Sequence, residues 1–323
     1  MNPDACQYLY VLSSPHGGST LFSHVLGKHP LVQNLGEVTF LPKLLALDEP
    51  CSCGETMGTC SFWQGVFGRY AERMGIDLRQ DPYAIFLGDA PKSRAGSGLI
   101  DHAYQTPFRY AHMKLRGALD TLSVLGAPSA LGLRRAALPS VRHSVDNTLA
   151  LYETIARTTG ARILVDASKM PRKAVHLYAS EPARMRIVHL TRDGRGVVAS
   201  RKRYMPVSYA AKRWQHYHSL TLRVLERWVP DEHRLRVAYE QFAAQPEQTL
   251  RRVFDWLGME YSDQCLDFGI DHIAHSAGGN PARFEMSGGI RGVDERWRTL
   301  LTAEELAAFD RIAGRLNGYL GYD

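Results

Sequence analysis

The sequence predicts an α/β fold: a doubly wound parallel sheet of about five strands, with helices on both faces and a mainly helical insertion. Three observations carry this expectation. Four short runs rich in β-branched or aromatic residues each lead into a turn and then a helical pattern, the order that gives parallel strands joined by crossover helices. Two of those turns, SSPHGGST and RDGRG, place glycine with hydroxyl or cationic side chains at a helix start. The strand rhythm stops between about residues 50 and 148, where a Cys/Gly-rich turn, the stretch DAPKSRAGSG and helical patterns replace it.

The strands read as YLYVL at 8–12, ILVD at 163–166, RIVHLT at 186–191 and LRVA at 235–238, with a weaker fifth at 31–34 just before Gly36. Helical spacing marks 106–124, 140–159, 208–229 and 302–320. With 323 residues, 45% of them hydrophobic, the chain can bury one large core, and residues 1–323 read as a single domain. The block at 50–150 is an insertion that either folds over the strand ends beside an acceptor pocket or adds a helical layer to the core. Ligands of such sheets sit beyond the carboxyl ends of the strands.

A net charge of +6 and a pI near 9.1 suit a polyanionic ligand, and equally RNA, DNA or an anionic membrane surface. No run of about twenty apolar residues could span a membrane, and MNPDACQYLYVLSSP lacks a basic segment followed by a long apolar one, so a cytoplasmic location is expected. Five cysteines would remain mostly thiols there. Cys51, Cys53 and Cys60 crowd into CSCGETMGTC, but a zinc site needs a fourth ligand. Cys265 is remote, and the nearest downstream histidine, His102, does not give finger-like spacing. A local turn with free thiols or one disulfide, and no metal site, is the expectation.

The turn Ser13-Ser14-Pro15-His16-Gly17-Gly18-Ser19-Thr20 has the character of a P-loop-like phosphate cradle. Its glycines let backbone approach an anion, the N–H groups of Gly18 to Thr20 point at it, and the helix dipole adds favourable potential. The nucleotidase pattern G-x-x-x-x-G-K-[ST] is not met, because Gly18 stands where the lysine would be. The second turn starts at Arg192 and opens a helix carrying Ser200 two turns on. A guanidinium and a hydroxyl so placed can converge on one phosphate, or Asp193 is simply an N-cap, Arg192 pairs with it locally and Ser200 is a helix-surface residue.

The two turns in this order resemble those of the sulfotransferase family. So do Gly36-Glu37 with LPKLL after it, CSCG…CSFW, VDASK at 165–169, VAYE at 237–240, and HIAHSAGGNPARF with Trp297 near the end. The resemblance implies that SSPHGGST wraps the 5′-phosphosulfate of 3′-phosphoadenosine 5′-phosphosulfate, and that Arg192 and Ser200 hold its 3′-phosphate. Adenosine 3′,5′-bisphosphate would be the product, with no metal required. The acceptor would be a hydroxyl on a small molecule, carbohydrate, lipid or peptide.

By the same resemblance Glu37 is the base for that hydroxyl, although a carboxylate with a free pKa of ~4.3 needs a dry pocket to serve well. Otherwise it is a surface residue in a helix first turn at 38–47. Lys169 matches the lysine that contacts the transferring group. His16 stands where the family has a lysine or arginine beside the leaving oxygen. With a free pKa of ~6.5 its charge depends on pH, and bound phosphates favour its protonated form. Tyr239 is either near the adenine or 3′-phosphate or a core aromatic just after a strand, while Asn280, Arg283 and Arg291 fall in the stretch that resembles the family's C-terminal donor loop. Trp214 and Trp297 are either adenine-stacking or core residues. Two rival readings are a kinase or NTPase using the same cradle, and a basic nucleic-acid-binding protein using RYAHMKLRG and SRKRYM.

Overall fold

A computed structural model describes residues 6–85, 126, 139–268, 275–284, 289–290 and 292–322. Its strands are β1 (Gln7–Leu12), β2 (Val32–Gly36), β3 (Ile163–Asp166), β4 (Met185–Thr191) and β5 (Arg234–Ala238). They form one five-stranded sheet in the order β2-β3-β1-β4-β5, every neighbouring pair parallel. Each expected strand is present, the weak one included. All residues of β3 and β4 are buried, as strands covered on both faces must be. No helix among the described residues is long and apolar enough to cross a membrane.

The helices are α1 (Ser19–Leu26), α2 (Leu41–Ala46), α3 (Ser61–Met74), α4 (Pro139–Thr159), α5 (Pro171–Ser180), α6 (Gly194–Arg201), α7 (Val207–Trp228), α8 (Tyr239–Ala244), α9 (Pro246–Leu257), α10 (Trp297–Leu300) and α11 (Ala303–Phe309). The last runs through a π turn, Asp310–Gly314, into α12 (Arg315–Tyr319). The period-two alternation of β1 sorts them into layers. Tyr8, Tyr10 and Leu12 face Trp63 and Phe67 of α3, Tyr152 and Ile155 of α4 and Leu177 of α5. Leu9 and Val11 face Phe22 and Val25 of α1 and Val253 and Phe254 of α9. Each such side chain contributes on the order of 2 kcal/mol on burial. A third cluster joins Val197 of α6, Trp214 of α7, Trp297 and Phe309.

This topology gathers function at one edge. The chain runs from central β1 out to β2, returns through β3, and crosses to the other side of β1 for β4. The turns after β1 and β4 therefore open side by side at the switch point, where such sheets bind ligands. In the block at 50–150, α3 and the start of α4 belong to the helical layer that packs against Tyr8 and Tyr10. Its expected helix at 106–124 lies outside the described residues.

The carboxyl end of β2 is closed by a distant segment. Gly36 forms a bridge with Ala277 and has φ 68°, and a Cβ there would lie 2.3 Å from the Ala277 carbonyl oxygen. Left-handed strain plus displacement of that segment should make Gly36→Ala destabilising by roughly 2–4 kcal/mol. Gly160 shares the left-handed backbone (φ 71°) but has nothing within 4 Å, so Gly160→Ala should cost only about 1–2 kcal/mol. Urea unfolding of the two variants checks this; equal midpoints would show that the contact with Ala277 adds nothing.

Candidate active site

The first wall of the site is the turn between β1 and α1. Gly17 donates its N–H to the Ser14 carbonyl at 2.9 Å, and a Cβ on Gly17 would lie 2.2 Å from Ser13 Oγ. Gly18, at φ 90°, caps α1, and a Cβ there would lie 2.3 Å from the Tyr239 ring. Two glycines are thus needed for the turn to curl tightly and to pass under the tyrosine. The first N–H groups of α1 precede the helical hydrogen-bond ladder, and such groups suit an anion. Asn280 crosses this turn, its N–H donating to Thr20 Oγ1 at 3.2 Å.

Arg192, at the end of β4, ties the second wall to the first. Its Nη1 donates to the His16 carbonyl at 2.8 Å, and its Nη2 to Asp294 Oδ2 at 2.9 Å. Its guanidinium lies 4.7 Å from the Tyr239 ring centre. Asp193 caps α6 by accepting from the Arg195 N–H at 2.9 Å and also pairs with the Arg195 guanidinium, so the capping role weighed from sequence is present, with Arg195 rather than Arg192 as the paired cation. Ser200 lines the cavity and donates to the Gly196 carbonyl at 2.9 Å.

Glu37 and Lys169 come from the carboxyl ends of β2 and β3. The Lys169 ammonium donates directly to Glu37 Oε1, and the Glu37 N–H donates to Ala277 O at 2.6 Å. Glu37 is not inside a helix; it precedes a short 3₁₀ turn, Val38–Phe40, with φ −102° and ψ 54°. Lys169 has φ 62°, and its carbonyl accepts from Tyr217 Oη at 3.1 Å. A buried polar network fixes this turn from below. Asp166 accepts from the Ser168 N–H at 2.7 Å and from the Tyr152 hydroxyl; Ser168 Oγ accepts from the Thr39 N–H at 3.1 Å. Lys173 donates to Thr39 Oγ1 at 2.7 Å, and burial pulls its pKa down to about 8 against the pull of Asp166.

These walls enclose a cavity of about 1520 Å³ lined by seven Lys and Arg side chains and three carboxylates. Such an excess of cations suits a polyanion. Ser14 Oγ, Arg192 Nε and Trp214 Nε1, all on residues of its wall, are buried without a hydrogen-bond partner. Burial lowers the His16 pKa, and the cations of Arg201, Lys169, Arg203 and Arg192 lower it further. Arg296 and Arg192 hold the Asp294 carboxyl well below the usual range.

Of the residues singled out from sequence, Pro15, His16, Gly18, Ser19, Thr20, Glu37, Lys169, Arg192, Ser200, Tyr239 and Asn280 line the cavity. Gly17 is buried and does not line it. Arg283 is outside it, donating to Gly279 O at 2.8 Å and Pro50 O at 3.0 Å, so it braces the loop that carries Asn280. Arg291 is outside the described residues. Trp214 is 1% and Trp297 8% exposed; both belong to the third core cluster and border the cavity. Among the described residues, none from 50–85 or 139–159 lines it. Asp294, Arg201, Arg203, Arg213, Tyr217 and Arg296 line it without having been singled out individually. SRKRYM, considered above for nucleic acid, was the one cue to Arg201 and Arg203.

A parallel α/β sheet with a glycine-rich turn and a cationic cavity at its switch point is an arrangement that suits a phosphorylated ligand. Residues 127–263 match the model of the sulfotransferase family. The chain superposes on the sulfotransferase domain of the Synechococcus PCC 7002 olefin synthase with a TM-score of 0.53 at 18% identity, covering 100% of this chain and 98% of that domain. On the sulfotransferase domain from the curacin biosynthetic pathway the TM-score is 0.52 at 17% identity, covering 99% and 98% of the two chains. At this identity the superpositions establish the fold. No curated protein matches the chain in sequence. The likeness in sequence to the sulfotransferase family lies within residues 127–263, less than half of the chain.

The charge around His16 yields a direct test. In the free protein its imidazole should titrate below the ordinary 6.5 and be neutral at pH 7, as followed by NMR of its ring carbons. Arg201→Ala, removing the strongest of the neighbouring cations, should move the midpoint up. A midpoint at or above 6.5 in the wild type would contradict the arrangement described.

Proposed function

We propose that the protein transfers a sulfuryl group from 3′-phosphoadenosine 5′-phosphosulfate to a hydroxyl acceptor. The observation that carries this reading is the hydrogen bond from Arg192 Nη1 to the His16 carbonyl at 2.8 Å. It sets the cradle after β1 and the guanidinium after β4 beside one another, two anion sites in reach of one ligand. The N–H groups of Gly18, Ser19 and Thr20 suit the 5′-phosphosulfate, and Arg192 with Ser200 suits the 3′-phosphate. The unpartnered Ser14 Oγ and Arg192 Nε are buried donors that a polyanion can satisfy. With Gly18 in place of a P-loop lysine, the NTPase reading has no group to reach a γ-phosphate.

When bound, the donor supplies an activated sulfuryl group whose transfer puts charge on the leaving phosphate oxygen and on the sulfuryl oxygens. Lys169 and His16 both line the cavity and are the donors we assign to meet that charge. Glu37 accepts the proton of the attacking hydroxyl. Its ion pair with Lys169 holds both groups in place before the reaction. Lys169 would hold a bound sulfuryl group as a hydrogen-bond donor, and shifting its ammonium from Glu37 to that acceptor would leave the Glu37 carboxylate free for the hydroxyl. His16, held neutral by burial and neighbouring cations, gains a proton when a polyanion offsets those cations.

Calorimetric titration with adenosine 3′,5′-bisphosphate beside 5′-AMP tests the donor site. The bisphosphate should bind at least about 30-fold tighter, reflecting charge-assisted bonds worth roughly 2 kcal/mol or more, and Arg192→Ala should abolish that preference. Because the His16 pKa rises on binding, the bisphosphate should bind more tightly as pH falls through the bound-state value, with proton uptake that His16→Gln removes. Once an acceptor is found, Glu37→Gln should lower kcat by about 10²–10⁴ with donor affinity retained. Equal binding of AMP and bisphosphate would overturn the donor assignment.

A further inference from the structure

The turn that begins the insertion brings three cysteines together, and the fold adds the ligand the local sequence lacks. Cys51, Cys53, Cys60 and His275 have ligand atoms that all lie within 4.8 Å of one another. His275 is 215 residues beyond Cys60, so no spacing rule could pair them. Cys53 Sγ and Cys60 Sγ are 3.7 Å apart, far beyond the ~2.05 Å of a disulfide. His275 Nδ1 lies 3.4 Å from Cys60 Sγ and 3.9 Å from Cys51 Sγ. A tetrahedral zinc with Zn–S of ~2.3 Å and Zn–N of ~2.0 Å has ligand–ligand edges of roughly 3.5–3.8 Å; the separations of 3.4, 3.7 and 3.9 Å straddle that range closely.

We propose that Cys51, Cys53, Cys60 and His275 bind one zinc ion in a closed structural site. Three sulfurs and one imidazole nitrogen are a soft, four-ligand set that fits zinc and leaves no position for a reacting water. The ligands are pre-positioned by backbone bonds. Cys51 N–H donates to Glu55 O at 2.7 Å and Cys60 N–H to Thr56 O at 2.8 Å. The two chain segments are stitched by Ser276 N–H to Ser52 Oγ at 2.8 Å and by Ser52 N–H to Ser276 O at 3.2 Å. The imidazole is stacked on Phe62 with centroids 4.9 Å apart and planes at 13°. Cys51 and Cys60 are fully buried, which shields the site from chelators and oxidants.

The metal would act on the reaction at a distance. Two residues after His275, Ala277 donates to Leu35 O at 3.0 Å and accepts from the Glu37 N–H at 2.6 Å. Zinc therefore clamps the segment that sets the backbone of Glu37, a positioning role.

The full-length protein, purified anaerobically without a metal-affinity tag or chelator, should carry about one zinc per chain by plasma mass spectrometry. Cobalt replacing the zinc should give the intense visible bands and thiolate charge-transfer absorption of a tetrahedral site. Cys60→Ser should weaken zinc binding by at least ~100-fold, as should His275→Ala, while Cys265→Ser, a buried cysteine elsewhere, should keep it. His275→Cys supplies a fourth sulfur and should retain zinc with a shifted cobalt spectrum, which separates loss of a ligand from loss of the fold. Zinc far below one equivalent with no cobalt–thiolate absorption, or a disulfide between Cys53 and Cys60 in the untreated protein, would overturn the proposal.

Discussion

The site depends on one buried guanidinium. Arg192 is 7% exposed, and a cation so placed costs several kcal/mol unless it is paired and hydrogen-bonded. Its partners are the His16 carbonyl and Asp294, with the Tyr239 ring against one face. To offer that carbonyl, His16 takes φ 67°, a conformation that costs a non-glycine residue about 1–2 kcal/mol. Tyr239 in turn lies so close to Gly18 that no side chain fits there. The turns after β1, β4 and β5 are thereby locked as one unit around the arginine, and the shape of the anion cradle follows from its coordination.

Concentrating seven cations around one cavity raises the energy of the ligand-free protein by mutual repulsion. Internal carboxylates offset it. Asp294 pairs with Arg192 and Arg296, and Glu37 pairs with Lys169. His16 meets the same field by giving up its proton, since burial and four neighbouring cations all favour the neutral ring. Both carboxylates stand beside cations that an anionic ligand would also use. Binding is then an exchange of partners within a preformed positive cavity, which limits the cost of reorganising it.

The strands were legible because buried parallel strands are continuous apolar runs, a pattern needing no knowledge of their neighbours. β2 read weakly since VQNLG carries two amides; Asn34 Oδ1 accepts from the Gly36 N–H at 2.9 Å, using local polar chemistry inside a strand. The cradle, Glu37, Lys169 and Arg192 were legible because each follows a strand end, where the fold fixes position. The C-terminal loop was not. An arginine in a glycine-rich segment reads as a ligand cation, yet Arg283 is held by the carbonyls of Gly279 and Pro50. Asp294 and His275 gain their significance only from partners about a hundred residues or more away in sequence, which local periodicity does not encode.

That loop also explains how Glu37 is held without a helix of its own. Its backbone is neither helical nor extended, so local structure alone would let the carboxylate wander. Orientation comes instead from the parallel bridge of Gly36 to Ala277 and from the Lys169 ion pair above it. The same segment reaches the turn after β1 through Asn280 and Thr20 and the cysteine turn through Ser52 and Ser276. Three stretches far apart in sequence thus meet at the end of β2. A change in any one is transmitted to the carboxylate through backbone hydrogen bonds, and the position of that carboxylate is set by tertiary closure rather than by the residues flanking it.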